Sequence, residues 1–93
     1  MPDLEWRPKA ISDLLAIVEY IADNNPGAAQ ALKDEIEAKT AALPEHPRLY
    51  RAGRVAGTRE MVVRPAYIVV YAEDARKVTI LRVLGSAQLW PPT

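Results

Sequence analysis

The strongest constraint on the fold is an abrupt change of periodicity near the middle of the chain. Residues 8–43 place apolar side chains at three- and four-residue steps, whereas residues 58–84 contain three runs rich in β-branched and aromatic residues. The first spacing predicts helices and the second predicts strands, because a buried face repeats differently in the two structures. We therefore expect an α+β fold, with helices covering one face of a sheet.

The first half of the chain contains two predicted helices separated by a break. Pro8 suits the first turn of a helix, since its missing N–H would have no partner there. Asn25-Pro26 ends this pattern and predicts an N-cap for a second helix that runs to about Leu43. The link is short, which favours an antiparallel helical hairpin. Before the first helix, Leu4-Glu5-Trp6 alternates and is a candidate edge strand.

The second half of the chain predicts a three-stranded meander after a loop from Arg48 to Gly57. The predicted strands are Thr58–Arg64, Tyr67–Ala72 and Lys77–Leu84. Their links are too short for a parallel crossover, which needs about a dozen residues, so neighbouring strands should be antiparallel. The prediction is a single domain over residues 1–93 in the order β-α-α-β-β-β, with an N-terminal helical hairpin packed on a small antiparallel sheet.

Composition excludes several classes of protein. The chain has no cysteine, so disulfides, zinc-finger ligands and thiol catalysis are unavailable, which fits a cytoplasmic location. The N-terminus has no basic stretch followed by an apolar run, and no segment approaches the roughly 18 apolar residues that span a bilayer. We expect neither export nor membrane insertion, and the sequence predicts no metal or cofactor.

Charge is distributed unevenly although the formal net charge is zero. Residues 1–47 carry nine acidic and four basic side chains, while residues 48–93 carry eight basic and three acidic ones. Such asymmetry predicts a basic face directed at an acidic partner. The alternative is that the arginines are solvated and spread around the domain.

Several local strings, in this order and spacing, resemble the RelE/ParE superfamily of toxins over nearly the whole chain. They are Trp6-Arg7-Pro8 with Ala10 and Asp13-Leu14, Tyr20-Ile21-Ala22 with Asn25-Pro26-Gly27-Ala28-Ala29, Gly57-Thr58-Arg59-Glu60, Tyr67-Ile68-Val69-Val70-Tyr71, and Ile80-Leu81-Arg82-Val83-Leu84 with Gln88-Leu89-Trp90-Pro91.

This resemblance implies a growth-inhibiting toxin of a type II toxin–antitoxin module, neutralised by a cognate antitoxin in a hetero-oligomeric complex. An antitoxin segment could lie along the helices or add a strand to a sheet edge. The superfamily divides into ribosome-dependent mRNA endoribonucleases similar to RelE and ParE-like poisons of DNA gyrase. Both use one fold, so the choice depends on the residues of a site.

Two positions bear on that choice. RelE carries an arginine directly after the first tyrosine of the second meander strand, whereas Tyr67 is followed here by Ile68. Many relatives have a histidine after an Arg-Val-Leu string, where this chain has Gly85-Ser86. The sequence therefore favours ParE-like poisoning of gyrase. The alternatives are a metal-independent mRNA endoribonuclease, or an inactive homologue that only binds antitoxin.

Catalytic residues cannot be assigned from the sequence. The only histidine, His46, follows the second helix and is expected to be a surface or capping residue. Tyr67 and Tyr71 share one strand face and are expected to pack into the core, and Trp90 is expected to fold back on the core. Arg59 and Arg82 are candidates for ion pairs with acids such as Glu60 or Glu73. The candidates for binding a target or nucleic acid are Arg51, Arg54, Arg59, Arg64, Tyr71 and Arg82.

Overall fold

A computed structural model describes residues 2–85, 88, 90 and 91, and it confirms the α+β architecture. The elements are β1 (Asp3–Trp6), α1 (Pro8–Ala22), α2 (Pro26–Ala41), a 3-10 turn (Leu43–Glu45), β2 (Arg51–Ala52), β3 (Arg59–Arg64), β4 (Tyr67–Glu73) and β5 (Lys77–Gly85).

Local chemistry sets the boundaries of the helices. Helix α1 begins at Pro8 because a residue before proline is held extended, as the backbone of Arg7 is. Asn25 caps α2 as predicted, since its side chain accepts a hydrogen bond from the Ala28 N–H at 3.0 Å. Helix α2 ends at Ala41, earlier than predicted, because Pro44 cannot continue it and the chain tightens into the 3-10 turn. No helix in the described part of the chain is long and apolar enough to cross a membrane.

The sheet has the strand order β1-β5-β4-β3-β2. Strands β3, β4 and β5 form the predicted antiparallel meander. The sheet is mixed rather than antiparallel throughout, because β1 is an edge strand that pairs parallel to β5. Both helices lie between these two strands in the chain, which supplies the long connection that a parallel pair requires. Strand β2 lies inside the predicted loop, and its two residues are too few to show a periodicity.

Each face of the sheet carries its own apolar cluster. The helix-side cluster joins Leu14 of α1 and Leu32 of α2 to Val69, Tyr71 and other buried residues of the meander. Tyr67 packs against the same cluster, which confirms that the two tyrosines share a face. The second cluster lies on the helix-free face and consists of Ile68, Val70 and Leu84, with Leu81 and Trp90 packed against it. Trp90 therefore covers part of the helix-free face, as predicted.

Candidate functional site

The six predicted site residues do not form one site. Arg51, Arg54 and Arg59 lie near the β2 edge of the sheet, and each is paired with a carboxylate. Arg64 ends β3 and contacts α2, and Arg82 lies on β5 and contacts α1. Tyr71 is fully buried in the helix-side cluster.

The β2 edge carries an arginine cluster, which consists of Arg48, Arg51, Arg54 and Arg59 with Glu60 and Glu73. The carboxylate of Glu60 is buried and is shared by Arg51 (Nη2 to Oε1, 3.2 Å) and Arg54 (Nε to Oε2, 3.7 Å). The Arg54 backbone N–H also donates to Glu60 Oε2 at 2.9 Å. Buried Glu60 therefore fixes the loop that precedes β3 as well as two guanidinium groups.

Glu73 forms the second half of the cluster in a similar way. The Nε atoms of Arg48 and Arg59 both lie 3.6 Å from Glu73 Oε1. Arg59 also donates from Nη1 to the Tyr50 carbonyl at 2.9 Å. The expected pairing of Arg59 with an acid of the meander is confirmed.

Arg82 is held by a carboxylate from the first half of the chain. It donates to Asp13 from Nε at 2.7 Å and from Nη2 at 3.1 Å, and the Val83 N–H donates to Asp13 at 3.0 Å. The suggested partners Glu60 and Glu73 were wrong for this residue. The Asp13 hydrogen bond raises the pKa of Arg82 above its usual range, although burial acts in the opposite direction.

Arg64 joins the end of β3 to α2. Its Nε donates to Glu35 at 2.7 Å, and Lys39 lies 3.3 Å from the other oxygen of the same carboxylate. The hydrogen bond from Arg64 is the main cause that lowers the pKa of Glu35. This pairing connects the end of β3 to α2.

Tyr71 lies inside the fold, whereas His46 lies at the surface. The Tyr71 hydroxyl donates to the Pro47 carbonyl at 2.8 Å, and burial raises the pKa of Tyr71. His46 is exposed at the end of the 3-10 turn, where its backbone N–H donates to the Leu43 carbonyl. Within the described residues, no group of three or more His, Asp or Glu side chains is arranged to hold a metal ion.

An apolar groove between β1, α1 and α2 was not located from the sequence. Its volume is about 420 Å³, and it is lined by Leu4, Trp6, Ile11, Leu14, Leu15, Lys33, Glu37 and Thr40. Ile11 and Leu15 are 45% and 49% exposed although they belong to the apolar stripe of α1. The width of that stripe was the available signal, because a stripe wider than the core contact leaves apolar side chains uncovered.

Comparisons with known proteins identify relatives along almost the whole chain. Residues 4–90 match the family described as the ParE toxin of the type II toxin–antitoxin system parDE. The chain is 33% identical to Y4kP of Sinorhizobium fredii over 88 residues, covering 95% of this chain and 92% of that relative. It is 34% identical to toxin RelE2 of Caulobacter vibrioides over 89 residues, covering 96% and 100% of the two chains.

Solved structures share the fold. A structure of the chromosomal ParDE system from P. aeruginosa has a TM-score of 0.83 at 24% identity, covering 91% of this chain and 96% of that one. The E. coli DinJ-YafQ complex has a TM-score of 0.65 at 14% identity, covering 97% and 99%. At these identities the structural similarity establishes only the fold, and the arrangement of the site must supply the rest of the argument.

Proposed function

The chain belongs to the ParE toxin family of type II toxin–antitoxin systems, and from that membership we propose that it arrests growth by binding DNA gyrase in the cytoplasm. A cognate antitoxin neutralises it by occupying the apolar groove. Binding and trapping a gyrase–DNA complex requires surfaces, whereas RNA cleavage requires a base, an acid and cations at matched positions.

The observation that carries the gyrase proposal is the apolar cluster on the helix-free face. Ile68 occupies the position at which RelE has an arginine. It packs with Val70 and Leu84, and Trp90 lies against this cluster. An arginine needs solvent or a counter-charge, and the described residues packed around position 68 are apolar and offer no counter-charge. This face is therefore better suited to apolar contacts than to stabilising the negatively charged phosphorus intermediate of RNA cleavage.

Three of the candidate groups, Arg64, Arg82 and Tyr71, are held in structural contacts. Arg82 is held by Asp13, and Arg64 is held by Glu35. The Tyr71 hydroxyl is bonded to a backbone carbonyl inside the fold. A nuclease would have to break these contacts to use the side chains, at a cost of roughly 1–3 kcal/mol for each hydrogen bond to a charged group.

The test is induced expression without antitoxin, with mRNA cleavage and gyrase-linked DNA breaks measured in the same cells within minutes. Growth arrest with DNA breaks and intact messages is expected. Purified toxin should also stabilise cleaved DNA in a reaction with purified gyrase. Message cuts without DNA breaks would replace this proposal with RNA cleavage. Unimpaired growth at high expression would identify an inactive homologue that only binds antitoxin.

The groove supplies a separate proposal about the antitoxin. Its exposed apolar residues on α1 fit an amphipathic segment, whose apolar face would lie against Ile11 and Leu15. Burying such side chains on association contributes about 1–2 kcal/mol each. The antitoxin is expected to be encoded by a neighbouring gene.

Charge placed in the groove tests this contact. Leu15→Glu should weaken antitoxin binding by roughly a hundredfold, because a carboxylate would be buried against an apolar partner. Tyr20→Glu is the matched control, since Tyr20 is 77% exposed on the same helix and does not line the groove. Calorimetric titration of both variants with antitoxin decides the matter. Equal affinities for the two variants would place the antitoxin elsewhere.

A further inference from the structure

Ion pairs between the two halves of the chain offset much of the charge asymmetry of the sequence. Three acidic residues of the first half pair with three basic residues of the second, as Glu5–Lys77, Asp13–Arg82 and Glu35–Arg64 at 3.0, 2.7 and 2.7 Å. The second half has five more basic than acidic side chains, so two positive charges are left over. The surplus lies in the arginine cluster, where four arginines share two glutamates.

Each guanidinium of the cluster lies near a carboxylate, and most of these side chains remain exposed to solvent. Arg48, Arg51 and Arg54 are 79%, 58% and 47% exposed at their side chains, while the Glu60 side chain is only 2% exposed. A guanidinium has five N–H donors, and each of these arginines uses one nitrogen in its ion pair. The unused donors of these arginines suit the oxygens of phosphate groups, which a guanidinium can bind with two N–H groups at once.

We propose that the arginine cluster binds the phosphate backbone of duplex DNA. This inference rests on the proposed function and deepens it, because a gyrase poison acts where the enzyme holds DNA. Arg59 and Glu60 are consecutive in β3, so the two carboxylates and their arginines lie on opposite faces of the sheet at its β2 edge. The surplus positive charge is therefore divided between the two faces of the sheet at its β2 edge.

Duplex DNA fits this edge better than single-stranded RNA or a protein. Single-stranded RNA is usually bound by stacking bases on aromatic side chains, but Tyr50 and Tyr71 near the cluster pack into the helix-side core. A protein interface has an apolar centre, and Leu49 is the one large hydrophobic residue of residues 46–60 that is exposed. Guanidinium groups without exposed aromatic rings favour contacts to phosphates.

The test compares two double variants that remove the same charge from different places. Arg48→Ala with Arg51→Ala takes one guanidinium from each carboxylate, so Glu73 keeps Arg59 and Glu60 keeps Arg54. Arg7→Ala with Arg76→Ala is the control, because both residues are exposed outside the cluster. Binding of the purified full chain to a labelled 20-base-pair duplex and to a 20-nucleotide RNA is measured by fluorescence anisotropy from 20 to 200 mM salt. Circular dichroism verifies that each variant is folded.

The expected result is that the cluster variant binds the duplex about tenfold more weakly than the control at the lowest salt. The slope of log affinity against log salt concentration should be about 1.8 smaller in magnitude than for wild type, since each phosphate contact contributes about 0.9 to that slope. Equal loss in both variants would reduce the effect to net charge and overturn the proposal. Tighter binding of RNA than of duplex, or no duplex binding by wild type at 20 mM salt, would also overturn it.

A gyrase arm separates this inference from the proposed function. The cluster variant should still bind gyrase in a pull-down without DNA and should trap fewer cleaved complexes when DNA is present. If the wild-type protein does not bind gyrase in this pull-down, the proposed function is refuted, whatever the DNA-binding measurements show. Normal trapping by the cluster variant would refute the cluster's role and leave the gyrase proposal standing.

Discussion

Among the polar contacts of the described residues, we expect the one between Asp13 and Arg82 to contribute most to the free energy of unfolding. The Asp13 carboxylate accepts three hydrogen bonds, two from Arg82 and one from the Val83 N–H. The side chains of Arg82 and Asp13 are only 15% and 10% exposed. Because a guanidinium cannot lose its proton in a protein, Asp13→Ala would leave a charge without a partner under α1.

The cost of this variant can be estimated from known pairs. Removing one partner of a buried ion pair costs about 3–5 kcal/mol. Residual solvent access lowers that figure, as does the Trp90 ring, whose centroid lies 5.4 Å from the guanidinium carbon of Arg82. We expect Asp13→Ala to reduce the free energy of unfolding by about 2–3 kcal/mol, and to lower Tm by roughly 10–20 °C for a domain of this size.

Urea unfolding followed by circular dichroism gives the measurement, and two further variants make it specific. Asp34→Ala removes an exposed carboxylate that accepts a hydrogen bond from Gln30, and it should change stability by less than about 0.5 kcal/mol. In an Arg82→Met background, Asp13→Ala should cost only about 1 kcal/mol, for the orphaned Val83 N–H. The reasoning fails if Asp13→Ala costs the same in both backgrounds, since no coupling would then exist between the two residues.

Three other predictions test the remaining contacts. Tyr71→Phe should lose about 1 kcal/mol of stability for its hydrogen bond to Pro47 and still arrest growth, and loss of toxicity in a folded protein would assign the hydroxyl a functional role. Backbone hydrogen bonds from Arg76 and Lys77 lower the pKa of Asp74, so Asp74 contributes its full stabilisation above the ordinary pKa near 3.8 and loses it as the pH falls below that value. The free energy of unfolding of Asp74→Asn should therefore depend less on pH in this range, and an unchanged pH profile would contradict the reasoning. Gly85→His should fold normally, since an added Cβ would meet Gln88 Oε1 at an ordinary 3.6 Å. It should not create mRNA cleavage, because position 68 remains apolar, and cleavage of mRNA by this variant would disprove that reasoning.

The elements governed by local chemistry could be predicted from the sequence. Asn25-Pro26 identifies the start of α2, because the cap and the first helical position depend on adjacent residues. The meander follows from links too short for any parallel connection. The parallel pairing of β1 with β5 is different in kind, because it joins residues 74 positions apart, such as Leu4 and Val78, and no periodicity encodes such a partner.

The candidate site was predicted only as a set of residue types. The arginines were identified as charged groups in a basic half, but their partners come from distant elements. Arg82 meets a carboxylate 69 positions earlier, and Arg64 meets one 29 positions earlier. A sequence reveals that charges of opposite sign exist in two halves, whereas only the packing of α1 and α2 on the sheet determines which of them cancel. The surplus at the β2 edge therefore becomes visible only after that cancellation.

The two apolar clusters lie on opposite faces of the sheet and contact different elements. The helix-side cluster joins both helices to the sheet and contains most of the buried apolar side chains. The helix-free cluster of Ile68, Val70 and Leu84 is separate and contacts neither helix. Trp90 packs over part of the helix-free face, which leaves the exposed arginines of the β2 edge as the more accessible surface for the DNA contact proposed above.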